Sequence, residues 1–348
     1  MRCVPVFTHR RRFLRMTEMD INLFMDMLKV DSTSGREREF ALMLAGRLRT
    51  PHNRVETFEV GDGTLNLLFS WGEPQVFLCT HLDTVPPYIA PEIDGDIVKG
   101  RGSCDAKGQI LAMFEACREL ERQGIEGFGL LLLAGEETGS YGAKRCTADG
   151  IGGRLVIVGE PTDGKMVSAS KGTKSYTVLL RGKACHSGYP EQGASAVERF
   201  VDFVNKLRAT DFPEDKELGK TTWNIGQLSS DNPQNILSPG LSFRIYFRTT
   251  FASDDMVQEL MNSMNDDSTV ITPHGGDTPM RYTTFPGEET VAVSFGSDTP
   301  HLRNFERRAM AGPGSILVAH TPDEYVRIGD MEKAAAMYAR IIKTEITK

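Results

Sequence analysis

The sequence lacks several features that would point to particular classes of protein. Its formal net charge is −7, and it has no basic block beyond residue 15. Nucleic acids and anionic membranes are bound through clustered Lys and Arg, so neither is an expected partner. No apolar run approaches the ~20 residues that span a bilayer. The six cysteines form no C-x-x-C pair, which predicts reduced thiols in a cytoplasmic protein rather than a disulfide framework.

The N-terminal segment differs from the rest of the chain. Residues 1–18 contain five arginines and no acid before Glu18. A secretory signal would need an apolar core after the basic part, and none follows. We expect a disordered tail or an upstream start codon here, with a transit-like leader as the alternative. The segment is therefore left out of the fold prediction, and the length of 348 residues indicates about two domains.

Hydrophobic patterning predicts strands alternating with helices in the first half of the chain. The continuously apolar runs at 130–134 and 155–158 are typical of strands covered on both faces. Ser34 followed by Glu37 resembles a capping box at the start of a helix. Apolar residues at helical spacing after Lys107 predict another helix. Such alternation indicates an α/β domain.

A different pattern begins at about residue 171. The predicted order there is β-α-β-β-α-β, which is the ferredoxin-like arrangement. We predict that residues 171–279 form a domain inserted into a larger one made of residues 19–170 and 280–348. The strand "TVAVSF" would resume the larger domain, and a final helix would begin at Asp330.

Acids and imidazoles follow apolar strands at several places in the larger domain. In open α/β sheets, functional groups gather where the carboxyl ends of the strands and their loops converge. His nitrogen and carboxylate oxygen are ligands that suit zinc. The segments concerned are "VFLCTHLDTV" with His81 and Asp83, "GRGSCDAKG" with Asp105, "LLLLAGEE" with Glu136 and Glu137, "LVIVGEPT" with Glu160, and "SILVAHTPDE" with His320.

The charge of these groups favours two metal ions over one. Two Zn²⁺ ions carry four positive charges, which the carboxylates of Asp105, Glu137 and Glu160 and one bridging hydroxide would neutralise. A single zinc would leave several carboxylates crowded together without compensation. We therefore expect two Zn²⁺ ions, with Co²⁺ or Mn²⁺ as substitutes.

The adjacent Glu136 and Glu137 are expected to have different roles. Successive side chains of an extended chain point in opposite directions, so Glu137 can face a metal while Glu136 is held off it. A carboxylate just outside a di-zinc centre can accept the proton of a bridging water and pass it to a leaving amine. Glu136 is therefore the predicted general acid/base.

The order and spacing of these motifs resemble a known family. The segments "HLDTVP", "GRGSCDAKG", "GEETGSYGA", "GEPT", "CHSG" and "AHTPDEYV" are similar to those of the co-catalytic di-zinc amidohydrolases and peptidases. That family includes acetylornithine deacetylase, succinyl-diaminopimelate desuccinylase, carboxypeptidase G and the aminoacylases. The resemblance covers nearly the whole chain from about residue 20. It implies a zinc-peptidase-like α/β catalytic domain, with a mixed central sheet flanked by helices, and an inserted ferredoxin-like lid and dimerisation domain.

The resemblance also implies a role for each matching residue. His81 and Glu160 would bind one zinc, Glu137 and His320 the other, and Asp105 would bridge them, with a cis peptide after it. Asp83 would orient His81 as a carboxylate–histidine–zinc relay.

The inserted domain would contribute further residues. In the family this domain commonly forms a homodimer, and its histidine, here His186, reaches the partner's active site and stabilises the oxyanion. Asn235 and Arg248 match substrate-holding positions of the lid, where Arg248 would clasp an α-carboxylate. The Gly-rich turn "AGPGS", with Gly314, can offer backbone N–H groups to an anion.

The expected reaction is removal of an acyl group from an N-acyl amino acid through attack by a zinc-bridging hydroxide on the amide. The turn at Gly314 most resembles the acetylornithine deacetylase branch, which implies a place in arginine biosynthesis. The first alternative is a dipeptidase or aminopeptidase with the same metal centre. The second is a catalytically silent binding protein that keeps the fold.

Overall fold

A computed structural model describes residues 19–61 and 63–348, so the predicted disordered tail at residues 1–18 lies outside the described residues. The described residues form seven α-helices and sixteen β-strands. The helices are α1 Ile21–Lys29, α2 Arg38–Arg47, α3 Lys107–Arg122, α4 Tyr141–Ala148, α5 Ala196–Ala209, α6 Asp254–Ser263 and α7 Ile328–Ile346. The strands are β1 Arg54–Gly61, β2 Thr64–Trp71, β3 Val76–His81, β4 Glu92–Asp94, β5 Ile97–Lys99, β6 Phe128–Leu133, β7 Gly153–Val158, β8 Met166–Ser170, β9 Gly172–Arg181, β10 Thr222–Ser229, β11 Gly240–Thr249, β12 Thr269–Pro273, β13 Met280–Arg281, β14 Thr290–Val293, β15 Phe305–Met310 and β16 Tyr325–Arg327. None of the described helices is long and apolar enough to cross a membrane.

A six-stranded mixed sheet forms the centre of the larger domain, in the order β1-β2-β6-β3-β7-β15. Strands β6, β3, β7 and β15 run parallel, whereas β1 and β2 are antiparallel additions at one edge. This arrangement confirms the predicted α/β fold with a mixed central sheet. The parallel strands also bring four carboxyl ends to one edge of the sheet.

Helices cover both faces of this sheet, which explains the uninterrupted apolar runs in the sequence. Successive side chains of a strand point to opposite faces. Leu130 and Leu132 of β6 pack with residues of α1, α2, α3 and α7 in one core cluster, whereas Leu131 and Leu133 pack with residues of α4 in a second cluster. Side chains on both faces of the sheet are therefore buried and apolar, so the usual alternation of apolar and polar residues is absent from these strands.

A second sheet contains β10, β11, β9 and β12 in that order, and every pair in it is antiparallel. Along the chain its elements follow the order β9-α5-β10-β11-α6-β12. Residues of α5 and α6 share a core cluster with the inward side chains of β9 and β11. This sheet lies within the inserted domain predicted at 171–279, and the domain boundaries themselves remain predictions.

The segment "TVAVSF" lies outside the central six-stranded sheet but packs against it, because Val293 belongs to the same core cluster as Leu131 and Leu133 and Val291 packs against that cluster. Its residues 290–293 form β14, which pairs with β8 in a separate three-stranded sheet with β13. The sixth strand of the central sheet is β15, with the segment "FERRAM". Apolar and polar residues do not alternate regularly along it, and only its ends are buried. A further small sheet contains β16, β5 and β4.

The predicted capping box at Ser34 and Glu37 is wrong. Helix α2 begins at Arg38, and the side chain of Glu37 makes no capping hydrogen bond. The hydroxyl of Ser34 instead donates to Asp83 Oδ2 at 2.7 Å. A tertiary partner thus displaces the local contact that the spacing favours. The last helix, α7, begins at Ile328, two residues before the predicted start.

Candidate metal centre

The predicted site residues converge at the carboxyl edge of the central sheet. His81 is the last residue of β3 and pairs in register with Leu133 at the end of β6, so the loop that carries Glu136 and Glu137 begins beside it. Glu160 follows the end of β7. The parallel arrangement of these strands therefore brings together side chains that lie up to about eighty residues apart in the sequence.

Among the described residues, two of the three groups of potential ligands share one residue, and the third group is His81, Glu136 and Glu137. His81, Asp105 and Glu160 form one group and Asp105, Glu137 and His320 the other; within each group the ligand atoms lie within 4.8 Å of one another. Asp105 belongs to both groups. This arrangement can hold two cations bridged by one carboxylate.

The two oxygens of Asp105 face different histidines. Its Oδ1 lies 2.9 Å from His81 Nε2, and its Oδ2 lies 3.2 Å from His320 Nε2. His320 Nε2 also lies 2.9 Å from Glu137 Oε1. The peptide bond after Asp105 is cis, as the resemblance implies. One short side chain can therefore contribute an oxygen to each half of the centre.

Asp83 fixes the loop that carries the paired glutamates. Its Oδ1 accepts the backbone N–H of Glu136 at 3.0 Å, and its Oδ2 accepts that of Glu137 at 3.2 Å as well as the hydroxyl of Ser34. The nearest acceptor to His81 Nδ1 is the backbone carbonyl of Asp83 at 2.9 Å, with the carboxylate at 3.4 Å. Asp83 therefore contacts His81 mainly through its backbone, while its side chain holds the glutamates.

The histidines and the shared aspartate stabilise one another's charged forms. Burial lowers the pKa of His81, but the carboxylate of Asp105, hydrogen-bonded to Nε2, and that of Asp83, 3.4 Å from Nδ1, outweigh it and raise the pKa well above its ordinary value. The same kind of contact, to Asp105 and Glu137, raises the pKa of His320 to about 10. Burial opposes ionisation of Asp105, yet its two histidine partners hold its pKa below the usual range. Positive charge is favoured on both sides of this carboxylate.

Glu136 and Glu160 have the opposite environment. Burial raises the pKa of Glu136 well above its ordinary value, and the negative charges of Asp298, Glu137 and Asp105 add to the effect. Burial, followed by the charge of Asp105, does the same to Glu160, whose Oε1 is buried without a hydrogen-bond donor among the described residues. Buried carboxylates are costly unless they are paired or coordinate metals. Nitrogen and oxygen donors with an orphaned buried oxygen fit divalent cations such as zinc.

The predicted lid residues lie apart from these groups in this chain. His186 is exposed, its Nδ1 accepts the backbone N–H of Gly188 at 3.1 Å, and its ring packs edge-on against Tyr189. Asn235 is its neighbour, because the Asn235 carbonyl accepts the N–H of Ser187 at 3.0 Å. Among the described residues, His186 belongs to none of the ligand groups.

Arg248 and Gly314 occupy two further environments. The guanidinium of Arg248 lies 4.9 Å from the centre of the Tyr246 ring, on strand β11. Gly314 has φ +78°, and a Cβ there would meet Cys104 Sγ at 2.5 Å. The glycine at 314 is thus required by backbone conformation and by close packing behind the loop of Asp105.

Two buried acids beside the centre were missed in the sequence. Asp298 in "FGSDTPHL" is buried near His81 and Asp83, and burial raises its pKa to about 6. Glu324 in "HTPDEYV" accepts backbone N–H groups from the loop of Asp105. The available signal was that each acid lies a few residues after a short apolar segment, "TVAVSF" for Asp298 and "SILVA" for Glu324.

Comparison with known proteins gives a consistent result. The sequence pattern of "Peptidase family M20/M25/M40" matches residues 77–344. A peptidase M20 domain-containing protein of Schizosaccharomyces pombe is 33% identical over 341 residues, which cover 92% of this chain and 84% of that protein. A "Probable carboxypeptidase" of Aspergillus terreus is 30% identical over 377 residues, covering 93% of this chain and 86% of that protein.

Solved structures share the fold at lower identity. Aminopeptidase PepT of Bacillus cereus matches with a TM-score of 0.76 at 22% identity, covering 94% of this chain and 98% of that one. The YXEP protein of Bacillus subtilis, described as a dinuclear metal binding peptidase from the M20 family, matches with a TM-score of 0.71 at 11% identity, covering 94% and 97%. The chain therefore belongs to peptidase family M20/M25/M40, a family of metal-dependent hydrolases.

Proposed function

We propose that this protein hydrolyses an amide bond of a small substrate, using two divalent cations and Glu136 as the general acid/base. The observation that carries the proposal is the pair of ligand groups that share Asp105. A single shared carboxylate between two sets of nitrogen and oxygen donors is suited to two ions a few ångströms apart. The placement of Glu136 beside both groups supplies the proton-transfer residue.

Five side chains would hold the ions. His81 and Glu160 would bind one ion, Glu137 and His320 the other, and Asp105 would bridge them. Zn²⁺ suits this mixture of nitrogen and oxygen, with Co²⁺ or Mn²⁺ as substitutes. When bound, the two ions supply Lewis acidity and lower the pKa of a coordinated water.

Glu136 would transfer the proton between the attacking water and the leaving amine. Burial raises the pKa of Glu136 above its ordinary value, and a carboxylate with a raised pKa can both accept and return a proton. Asp83 holds the backbone N–H of Glu136 and so fixes the base without touching its carboxylate. Glu136 then protonates the departing nitrogen as the amide bond breaks.

Short peptides have more support as substrates than N-acyl amino acids. The relative from Aspergillus terreus is named a carboxypeptidase and the structure from Bacillus cereus an aminopeptidase. The acetylornithine deacetylase prediction, with its link to arginine biosynthesis, is retained as the second candidate because of the Gly-rich turn at Gly314. Both substrate classes carry an α-carboxylate, for which Arg248 is the proposed partner.

A homodimer formed through the inserted domain would complete the site. His186 is exposed and lies apart from the ligand groups of its own chain, so we propose that it stabilises the oxyanion in the partner's site. Strand β10 is an edge of its sheet, and Leu228 on it and Val197 and Val201 on α5 are exposed apolar residues. Such residues are suited to an interface. The proposed location of the dimer is the cytoplasm.

The substrate class is tested by comparing the turnover of peptides with that of N-acetyl amino acids. A panel of dipeptides, tripeptides and N-acetyl amino acids, assayed with zinc and with cobalt, should show turnover of the peptides. Turnover restricted to N-acetyl amino acids would instead support the deacetylase. The absence of turnover with every member, in protein that binds two ions, would support the silent binding protein.

Glu136→Gln tests the role of Glu136 as the general acid/base. It removes the base but no proposed ligand, so we expect a loss of kcat of at least about 100-fold with two ions still bound. Glu137→Ala should instead lower the metal content. Wild-type turnover in Glu136→Gln with full metal content would show that another group is the base.

A further inference from the structure

A buried ion pair lies directly behind the proposed metal centre, and the proposed reaction does not use it. Glu324 and Arg101 are 1% and 2% exposed, and Glu324 Oε2 accepts a hydrogen bond from the Arg101 guanidinium. A buried pair of this kind contributes little net stability, because desolvation of the two charges offsets their attraction. The role of the Glu324–Arg101 pair therefore has to be inferred from its contacts.

The second oxygen of Glu324 holds the loop that ends in the shared ligand. Its Oε1 accepts three backbone N–H groups, those of Gly102 at 3.0 Å, Cys104 at 3.1 Å and Asp105 at 3.1 Å. The last of these belongs to the residue whose carboxylate joins the two ligand groups. Hydrogen bonds to a charged acceptor are roughly twice as strong as neutral ones, so this oxygen fixes the backbone of Asp105.

Arg101 connects the same carboxylate to two other loops. Its guanidinium donates to the carbonyls of Thr321 and Pro87, each at 3.3 Å. Thr321 follows His320 directly, and Pro87 lies in the loop after His81 and Asp83. The pair therefore links three loops, each of which contains or directly follows a proposed ligand of the centre.

Only an ionised carboxylate can make all of these contacts at once. The four donors around Glu324 are three amide N–H groups and one guanidinium N–H, and a carboxylate offers acceptor sites on both oxygens. A glutamine has one acceptor oxygen and an amino group that donates. Its amino group would therefore face either the guanidinium of Arg101 or the three backbone N–H groups, with a donor opposite a donor.

We propose that Glu324 and Arg101 are positioning residues that hold Asp105 and His320 at the separation needed to bind two cations. The proposal rests on the metal centre assigned under the proposed function. It concerns residues that contact neither the ions nor the substrate. Its effect should therefore appear in the affinity and geometry of metal binding before any reaction takes place.

The test is titration of metal-stripped Glu324→Gln with Co²⁺, followed by calorimetry for stoichiometry and affinity and by the visible absorption of the bound cobalt. We expect binding of at least one ion to weaken by about 10- to 100-fold, as for other residues that orient metal ligands, with a changed cobalt spectrum. The matched control is Glu345→Gln. Glu345 is also a buried carboxylate paired with an arginine, Arg307, but it lies on α7 away from the ligand groups. It should bind Co²⁺ as the wild type does.

If Glu324→Gln does not fold, a second variant tests the positioning role. Arg101→Lys keeps the positive charge of the pair but loses the planar fork that reaches Thr321 and Pro87. It should weaken Co²⁺ binding by roughly 3-fold or more and alter the spectrum. Two ions bound with wild-type affinity and spectrum, in whichever variant folds, would overturn the positioning role. Wild-type protein that fails to bind two ions would instead overturn the metal centre itself.

Discussion

At the scale of single residues, the surroundings give identical side chains different properties. Glu136 and Glu137 are neighbours in sequence, and Asp83 holds the backbone N–H groups of both. The side chain of Glu137 nevertheless contacts His320, whereas burial and the charge of Asp298 raise the pKa of Glu136. The chemical difference thus comes from burial and from the two other segments of the chain that carry His320 and Asp298.

Asp298 should make stability depend on pH in metal-free protein. Burial raises its pKa to about 6 from 3.8, so the folded state binds the proton more tightly than the unfolded state. Its contribution to stability is fully present below pH 3.8 and is lost as the pH rises through about 6. Asp298→Asn removes the charge and should be more stable than the wild type at pH 7.5, by at most about 3 kcal/mol.

Urea unfolding of the chelator-treated proteins measures this difference. The advantage of Asp298→Asn should shrink as the pH is lowered toward 4. The exposed Asp94→Asn, on β4, is the control for loss of one negative charge. An advantage that stays constant from pH 4 to pH 7.5 would contradict the role assigned to the buried charge.

At the scale of elements, helix α3 is fitted tightly beneath the loop of Asp105. An ideal Cβ on Gly108, in the first turn of α3, would lie 2.4 Å from the carbonyl oxygen of Ser103. In contrast, a Cβ on Gly46 of α2 would meet nothing within 4 Å. The two glycines are therefore helical residues with opposite packing requirements.

Gly108→Ala should destabilise the protein by about 1–3 kcal/mol, because the loop and the helix must separate to admit the methyl group. Gly46→Ala should stabilise it by about 0.5–1 kcal/mol, since alanine loses less conformational entropy in a helix. Thermal or urea unfolding of both variants measures the contrast. Equal effects of the two substitutions would show that the contact with Ser103 does not constrain α3.

At the scale of the whole molecule, the centre joins segments from both ends of the larger domain. His81 ends an early strand, whereas His320 lies after the inserted domain, and both contact Asp105. An ion bound to such a set stabilises the folded state, because the unfolded chain does not keep the ligands together. Metal binding at the proposed centre would thus be linked to folding of the predicted discontinuous domain.

Removal of the ions with a chelator should therefore lower the Tm. At a free ion concentration about a thousandfold above Kd, one binding site contributes about 4 kcal/mol of stability. Readdition of Zn²⁺ should restore the Tm of the wild type, whereas Glu160→Ala should recover only part of it. Differential scanning calorimetry with and without chelator measures the effect, and an identical Tm in both conditions would argue against structural linkage of the ions.

Much of the fold and the choice of candidate ligands could be predicted because they depend on local pattern. The runs around Leu131 and Val156 are apolar on both faces of the sheet, so their strands were visible without the structure. Glu136, Glu137 and Glu160 follow such strands, and His81 ends one, so they could be named by the same rule.

The expected strand before His320 is wrong, because residues 316–319 of "SILVA" form a turn. Strand β15 was missed because its partly exposed "FERRAM" carries charges, and the capping box at Ser34 was wrong because Asp83 offers a better partner.

The sequence alone therefore determined the α/β pattern, the candidate ligands and the family resemblance, because each is written in short segments whose burial or motif is local. Only the tertiary structure decided that Asp105 faces both histidines, that Asp83 holds the glutamate loop, and that Glu324 and Arg101 link three loops. These contacts join residues far apart in the chain. Their geometry depends on the packing of the whole sheet, which no short segment specifies.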